Sequence, residues 1–219
     1  MTGMLSPQRR LLLVAGAAAL TGCGTFVDRP QRPTLFDLGA LPSSATPAAA
    51  NGAPGTPLVL PDVEAAGALE GSNMLYRLAY ADDHQLRAYA LSRWSAPPPQ
   101  LVRQRLRQQL GRERPVLSLD ESAALAREGD QPLHLLRLEL EEFTHVFDAP
   151  DRSRGVLRLR ATLIANTRSG DVLVGQRAIV ADGPAPTPDA SGGVRALTSA
   201  TDAAAADIGG WLQRVGRTR

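Results

Sequence analysis

Three successive stretches of alternating polarity between residues 133 and 181 constrain this chain more than anything else in it. In Leu133 to Phe147, Leu136, Leu138 and Leu140 oppose Arg137, Glu139 and Glu141. Gly155 to Asn166 sets Leu157, Leu159, Ala161 and Leu163 against Arg158, Arg160 and Thr162, and a turn at Thr167 to Gly170 leads into Asp171 to Ala181. Successive side chains on a strand point to opposite faces, so a period of two predicts half-buried strands, here three in a row and antiparallel. By the same rule, the odd separation of His134 and His145 places them on opposite faces of the first strand.

A sheet with one apolar face needs a cover. After a Pro-rich break at Gly183 to Pro188, residues Val194, Leu197, Thr201, Ala204, Ile208, Trp211 and Val215 recur at spacings of three and four. That spacing predicts a helix from Ala190 to Val215 with one buried face. A second helix is predicted after Ser95, as N-cap, with Pro97 to Pro99 in its first turn and Gly111 at its end. Val102, Leu106 and Leu110 form its apolar stripe with Leu101 beside it, and Arg103, Arg105 and Arg107 are expected on or near its exposed face.

Met74 to Tyr80 and Gln85 to Trp94 read as a hairpin turned by Ala81 to His84. In its second strand Leu86, Ala88, Ala90, Ser92 and Trp94 alternate against Arg87, Tyr89, Leu91 and Arg93. Shorter strands are expected at Thr34 to Gly39, Leu58 to Ala65 (with Pro61 marking an edge or bulge) and Val116 to Leu119, and a short helix at Ser122 to Glu128. Ala40 to Pro57, dominated by Ala, Pro, Gly and Ser, reads as a low-complexity loop. The expectation is a single α+β domain over residues 33–215, a mostly antiparallel sheet with two main helices packed on one face, followed by a tail at 216–219.

Little in the chain carries chemistry. His84, His134 and His145 have no metal-ligand spacing with each other or with the lone cysteine, so surface or edge positions are expected and no metal or cofactor. There is no nucleophile elbow or phosphate-binding lysine loop; Gly192-Gly193 reads as helix initiation. Asp82-Asp83 is a turn and Glu139, Glu141 and Glu142 an acidic strand edge. Trp94 and Trp211 are expected in the core. The chain is expected not to be an enzyme.

The N-terminal stretch defines where the protein works. Arg9 and Arg10 precede the apolar run Leu11 to Leu20, and Leu20-Thr21-Gly22 precede Cys23, the single cysteine. Basic, then apolar, then small residues is the order of an export signal. The run is about half of the roughly 20 apolar residues that a spanning helix needs. Leu-Thr-Gly before Cys resembles a bacterial lipoprotein signal, which implies removal of residues 1–22 and lipid attachment at Cys23, with Leu20, Thr21 and Gly22 read by the processing machinery. Residues 23–32 then form a short tether. Without the two signal arginines, basic and acidic residues balance, which gives no warrant for a nucleic-acid partner.

The domain itself resembles the ABC-type transport auxiliary lipoprotein family. The residues that carry the likeness are Tyr76-Arg77-Leu78, Tyr89 and Ser92-Arg93-Trp94 with Pro97-Pro98. Leu101, Leu106 and Leu110, then Leu138-Glu139-Leu140 with Phe143 and Phe147, and the last helix at Trp211, extend it over residues 33 to 215. The resemblance implies a non-catalytic periplasmic accessory that docks an ABC transporter and its membrane-anchored MCE-domain protein in lipid transport, with self-association left open. Gly24 after the lipidated cysteine favours the outer membrane, and the loop Ala40 to Pro57 is longer than the family leads one to expect. Two other readings stand beside it: a structural or assembly lipoprotein of the outer envelope, and a lipid hydrolase, which the missing nucleophile motif disfavours. A partner-docking surface is expected at Leu101 with Arg103, Arg105 and Arg107, an apolar centre with an arginine rim.

Overall fold

The computed structural model describes residues 31–41, 56–65, 67–125, 133–167 and 169–217. Their order is β1 (Thr34–Phe36), β2 (Leu58–Val59), β3 (Glu64–Ala65), a 3-10 turn (Gly67–Leu69), β4 (Asn73–Leu78) and β5 (Leu86–Trp94). Then follow α1 (Pro98–Leu110), β6 (Val116–Leu117), α2 (Leu119–Leu125), β7 (Leu133–Ala149), β8 (Arg152–Thr167), β9 (Gly170–Pro184) and α3 (Ala190–Arg217). The fold class is α+β, built on a single sheet.

β7 is the spine. Along one edge it pairs antiparallel with β8, from Leu133 opposite Asn166 to Ala149 opposite Arg152, and β8 continues antiparallel into β9. Along its other edge it takes three short segments in turn, all parallel: β2 at His134 and Leu135, β3 at Glu139 and Leu140, and β4 at His145 to Phe147. Pro61 lies between β2 and β3, where it breaks the expected strand Leu58 to Ala65 in two because it has no N–H to donate. β1 also runs parallel to its partner β5, and β2 to β6. The antiparallel expectation therefore holds for the pairs joined by short turns and not for the rest. Parallel neighbours need long connections: α1 and α2 lie between β7 and its parallel partners β2, β3 and β4, α1 lies between β2 and β6, and β2 to β4 lie between β1 and β5.

Two bulges change which side chains look inward. Between Leu140 and Glu142 the β7 register shifts, so that Leu136, Leu138 and Leu140 face the same side as Phe143, His145 and Phe147. The extra residue cancels the odd spacing, and His134 and His145 share a face instead of opposing each other. In the hairpin, Asn73 stands opposite Arg93 but Leu75 opposite Ala88, so β5 carries surplus residues. Tyr89 is thereby turned toward Tyr76 and His145, on the side where Trp94 is buried, against the strict alternation expected for it.

α3 lies over β7, β8 and β9, and α1 packs beside it. The helix rests so closely on β8 that a Cβ at Gly155 would stand 2.5 Å from the Leu197 amide nitrogen. At its start Asp189 accepts a hydrogen bond from the Gly192 amide at 2.7 Å, a side-chain cap on the first turn. Gly193 is needed for packing as well as initiation, because a Cβ there would meet the His145 ring at 2.5 Å.

The caps of the shorter helices differ from expectation. α1 has Pro97 at its N-cap with no side-chain bond, while the Ser95 amide donates to the Phe36 carbonyl at 2.7 Å. α2 begins at Leu119, earlier than Ser122. Ser118 and Glu121 close a reciprocal capping box there, at 2.6 Å from the Ser118 amide to the Glu121 carboxylate and 3.3 Å from the Glu121 amide to the Ser118 hydroxyl. The core gathers Trp94, Phe143, Met74, Leu106, Leu136 and Leu159 between sheet and helices. Trp211 packs against its margin, half-buried, and is not a core residue in the way Trp94 is.

Candidate docking surface

The four residues expected to make one surface on α1 do not do so. Leu101 is buried in the core, and Arg105 is only 4 % exposed. Position 105 falls four residues after Leu101 and three after Val102, so helical spacing alone carries it onto the apolar stripe. There its guanidinium meets Asp202 of α3 in a fork, Nε to Oδ1 and Nη2 to Oδ2, both at 2.7 Å. Its Nη1 donates to the carbonyls of Leu38 at 2.9 Å and Gly39 at 3.0 Å, and Gln109 adds a donor to Asp202 at 2.9 Å. Arg105 thus ties α1, α3 and the segment after β1 together. Burial pushes the Asp202 carboxyl up, but the hydrogen bonds from Arg105 and Gln109 and the Arg105 charge outweigh it and hold the group below its ordinary range.

The other two arginines stay near the surface and are already paired. Arg103 donates to the Pro61 carbonyl at 3.1 Å and stands 3.3 Å from Asp62; Arg107 reaches Glu121 at 3.1 Å. Between α1 and the segment Asp37 to Ala40 runs a groove of about 340 Å³, lined by Ser95, Leu101, Gln104 and Gln108 among others. Its one carboxylate, Asp37, accepts the Gly39 amide at 2.7 Å, which makes it a turn former. Among the described residues no three His, Cys, Asp or Glu side chains group to hold a metal ion. Leu20, Thr21, Gly22 and Cys23 lie outside the described residues.

The polar group that sequence spacing misplaced is His145. It was expected at a surface or edge, and instead it is fully buried, because the β7 bulge turns it under the start of α3. Its Nδ1 shares a 2.8 Å hydrogen bond with the Tyr89 hydroxyl, and Phe147 and Tyr76 complete an aromatic cluster. Nε2 is buried without a hydrogen-bond partner, as is the Ser153 hydroxyl on β8, two residues from the Gly155 that stands opposite His145. Burial pushes the imidazole down from 6.5 to about 4, against the opposing pull of Asp189, and pushes the Tyr89 phenol up. His84 is exposed at the β4–β5 turn, its amide donating to Asp82 at 2.9 Å.

A titration follows from this placement. Between pH 6.5 and about 4 the unfolded chain binds a proton at His145 that the folded chain refuses, so stability is full above that window and falls as pH drops through it. The loss is on the order of 3 kcal/mol by pH 4. Denaturant melts across that range, for the parent and for His145→Gln, measure it. The variant is expected to lose this acid limb, and an unchanged slope would mean that the imidazole titrates normally.

The comparisons with known proteins agree with the architecture. A family model described as ABC-type transport auxiliary lipoprotein component matches residues 36–209. Among solved structures, XCC0632 from Xanthomonas campestris superposes with a TM-score of 0.63 at 15 % identity, over 84 % of this chain and 98 % of that one. A crystal structure of an uncharacterized protein superposes with a TM-score of 0.56 at 15 % identity, over 82 % of this chain and 98 % of its own. No curated protein matches.

Proposed function

The chain belongs to the ABC-type transport auxiliary lipoprotein family, and on that premise we propose that it is a lipid-anchored, non-catalytic docking subunit of an ABC transport system that moves lipid between membranes, with an MCE-domain protein as its direct partner. The match over residues 36–209 carries this reading, together with Leu20-Thr21-Gly22-Cys23 upstream of it. Lipid on Cys23 places the domain on the periplasmic side of a bacterial membrane, and Gly24 favours the outer one. Each buried methylene of an acyl chain adds about 0.8 kcal/mol, and two or more chains anchor stably. Among the described residues no helix is long and apolar enough to cross a membrane.

In support of the docking role, several polar side chains near α1 and in the core hold structure. Arg105 and Asp202 lock the helices, Asp37 forms a turn, and the Tyr89 hydroxyl bonds His145 Nδ1 in the core. Cys23→Ala is expected to leave the domain folded but to release it from the membrane or stall the unprocessed precursor. Membrane fractionation with mass measurement reads this; a mutant that fractionates like its parent, with no acyl mass on either, sinks the anchor. Co-purification of the wild-type chain with an MCE-domain protein of the same organism tests the partner; recovery no higher than that of an unrelated lipoprotein overturns it.

A further inference from the structure

The sheet edge that follows the tether leaves apolar side chains uncovered. Leu35 on β1 is 67 % exposed and Leu91 on β5 is 49 % exposed. Leu35 stands opposite Arg93 in the parallel β1–β5 pair, and Phe36 opposite Trp94. Phe36, Ser92 and Trp94 turn inward, so Leu35, Arg93 and Leu91 share the face that points away from the core. β1 closes this side of the sheet, and a three-residue strand covers little of its neighbour.

We propose that this edge, Leu35 and Leu91 with Arg93, lies against the lipid headgroups and upper acyl chains of the membrane that holds the Cys23 anchor. The proposal rests on the lipid-anchor reading above. Its argument is the length of chain between anchor and edge. Cys23 and Leu35 are twelve residues apart, so Leu35 stays within about 40 Å of the acyl chains even at full extension, and closer for any relaxed tether. A tethered group meets its surface at an effective concentration that a free partner does not reach. Arg29 and Arg32 lie in the tether itself, and arginines beside an apolar contact suit anionic headgroups. Arg93 commits one guanidinium nitrogen to the carbonyls of Tyr89 and Ser92, which leaves further donors for phosphate. Val180, 61 % exposed, lies on β9 at the opposite edge of the sheet.

The test uses the acylated full-length mature chain on vesicles of phosphatidylethanolamine and phosphatidylglycerol. Acylation blocks the Cys23 thiol, so a single introduced cysteine can carry an environment-sensitive fluorophore: Leu35→Cys, Leu91→Cys, or Val180→Cys as the control. Circular dichroism confirms each fold, and flotation reads the anchor independently. The expected result is a blue-shifted emission at 35 and 91 that is quenched several-fold more by spin-labelled lipid than emission at 180. Chains that float but show equal, weak quenching at all three sites overturn the proposal and leave the anchor standing. A blue shift at 35 and 91 that spin-labelled lipid does not quench means that protein covers the edge, and overturns it too. Chains that do not float remove the anchor and the proposal together.

Discussion

Arg105→Ala is expected to destabilise the domain by about 3–5 kcal/mol, the usual cost of breaking a buried ion pair by removing one partner. Truncation leaves the Asp202 carboxylate without its fork and strips the donor from the Leu38 and Gly39 carbonyls. Asp202→Ala is expected to cost a similar amount, since it leaves a guanidinium that is 5 % exposed without its counter-charge. The double variant is expected to cost less than the two singles combined, because the pair is removed as a unit. Arg105→Lys is no conservative rescue: an ammonium cannot make the bidentate contact and reach two carbonyls besides. The same pair adds an acid limb of its own. Its contribution is present above the ordinary Asp value of 3.8 and is lost as pH falls through the lower folded value. Guanidinium melts of the singles and the double check this, and an Arg105→Ala protein within about 1 kcal/mol of its parent would show that the fork carries no stability.

Trp94→Ala is expected to cost about 3–5 kcal/mol, the range for truncating a large buried aromatic. The indole is 1 % exposed, its ring centroid lies 5.3 Å from that of Phe143, and its backbone pairs with Phe36 on one side and Ser72 on the other. Removing it opens a cavity where β1, β5, β7 and α1 meet, and close-packed neighbours relax only partly to fill it. Trp211→Ala is expected to cost clearly less, on the order of 1–2 kcal/mol, because half-buried apolar surface loses less on truncation. It lies over Gly175, where an added Cβ would stand 3.5 Å from the indole. Equal losses at the two positions, read from the same melts, would place Trp211 in the core after all.

The sequence alone sets the kind and rough extent of the long regular elements, while the short segments around β2, β3, β6 and α2 differ from its pattern. Period two gave β7, β8 and β9 within a few residues of their ends, and the three-and-four stripe gave α3, because both signals are local: a residue's neighbours on its own element decide which face is wet. The family was legible for a related reason. Arg93-Trp94 before the prolines, and the leucines of α1, are positions where the packing demand is narrow.

Partnership between segments comes from the three-dimensional packing alone. Nothing within residues 58–78 says that this segment runs parallel along β7, since that pairing joins chain more than sixty residues apart. The only local sign of the bulge at Leu140/Glu142 is the doubled Glu141-Glu142 that breaks the alternation, and one extra residue reverses every later side chain, which is why His145 lies inward. Arg105 is the sharpest instance. Charge alone assigns an arginine to water; the helical spacing that carried it inside was readable, but its burial is affordable only because Asp202 waits 97 residues later on another helix. A local pattern sets which face a residue occupies, while the free energy of burying a charge depends on a partner that the pattern does not contain.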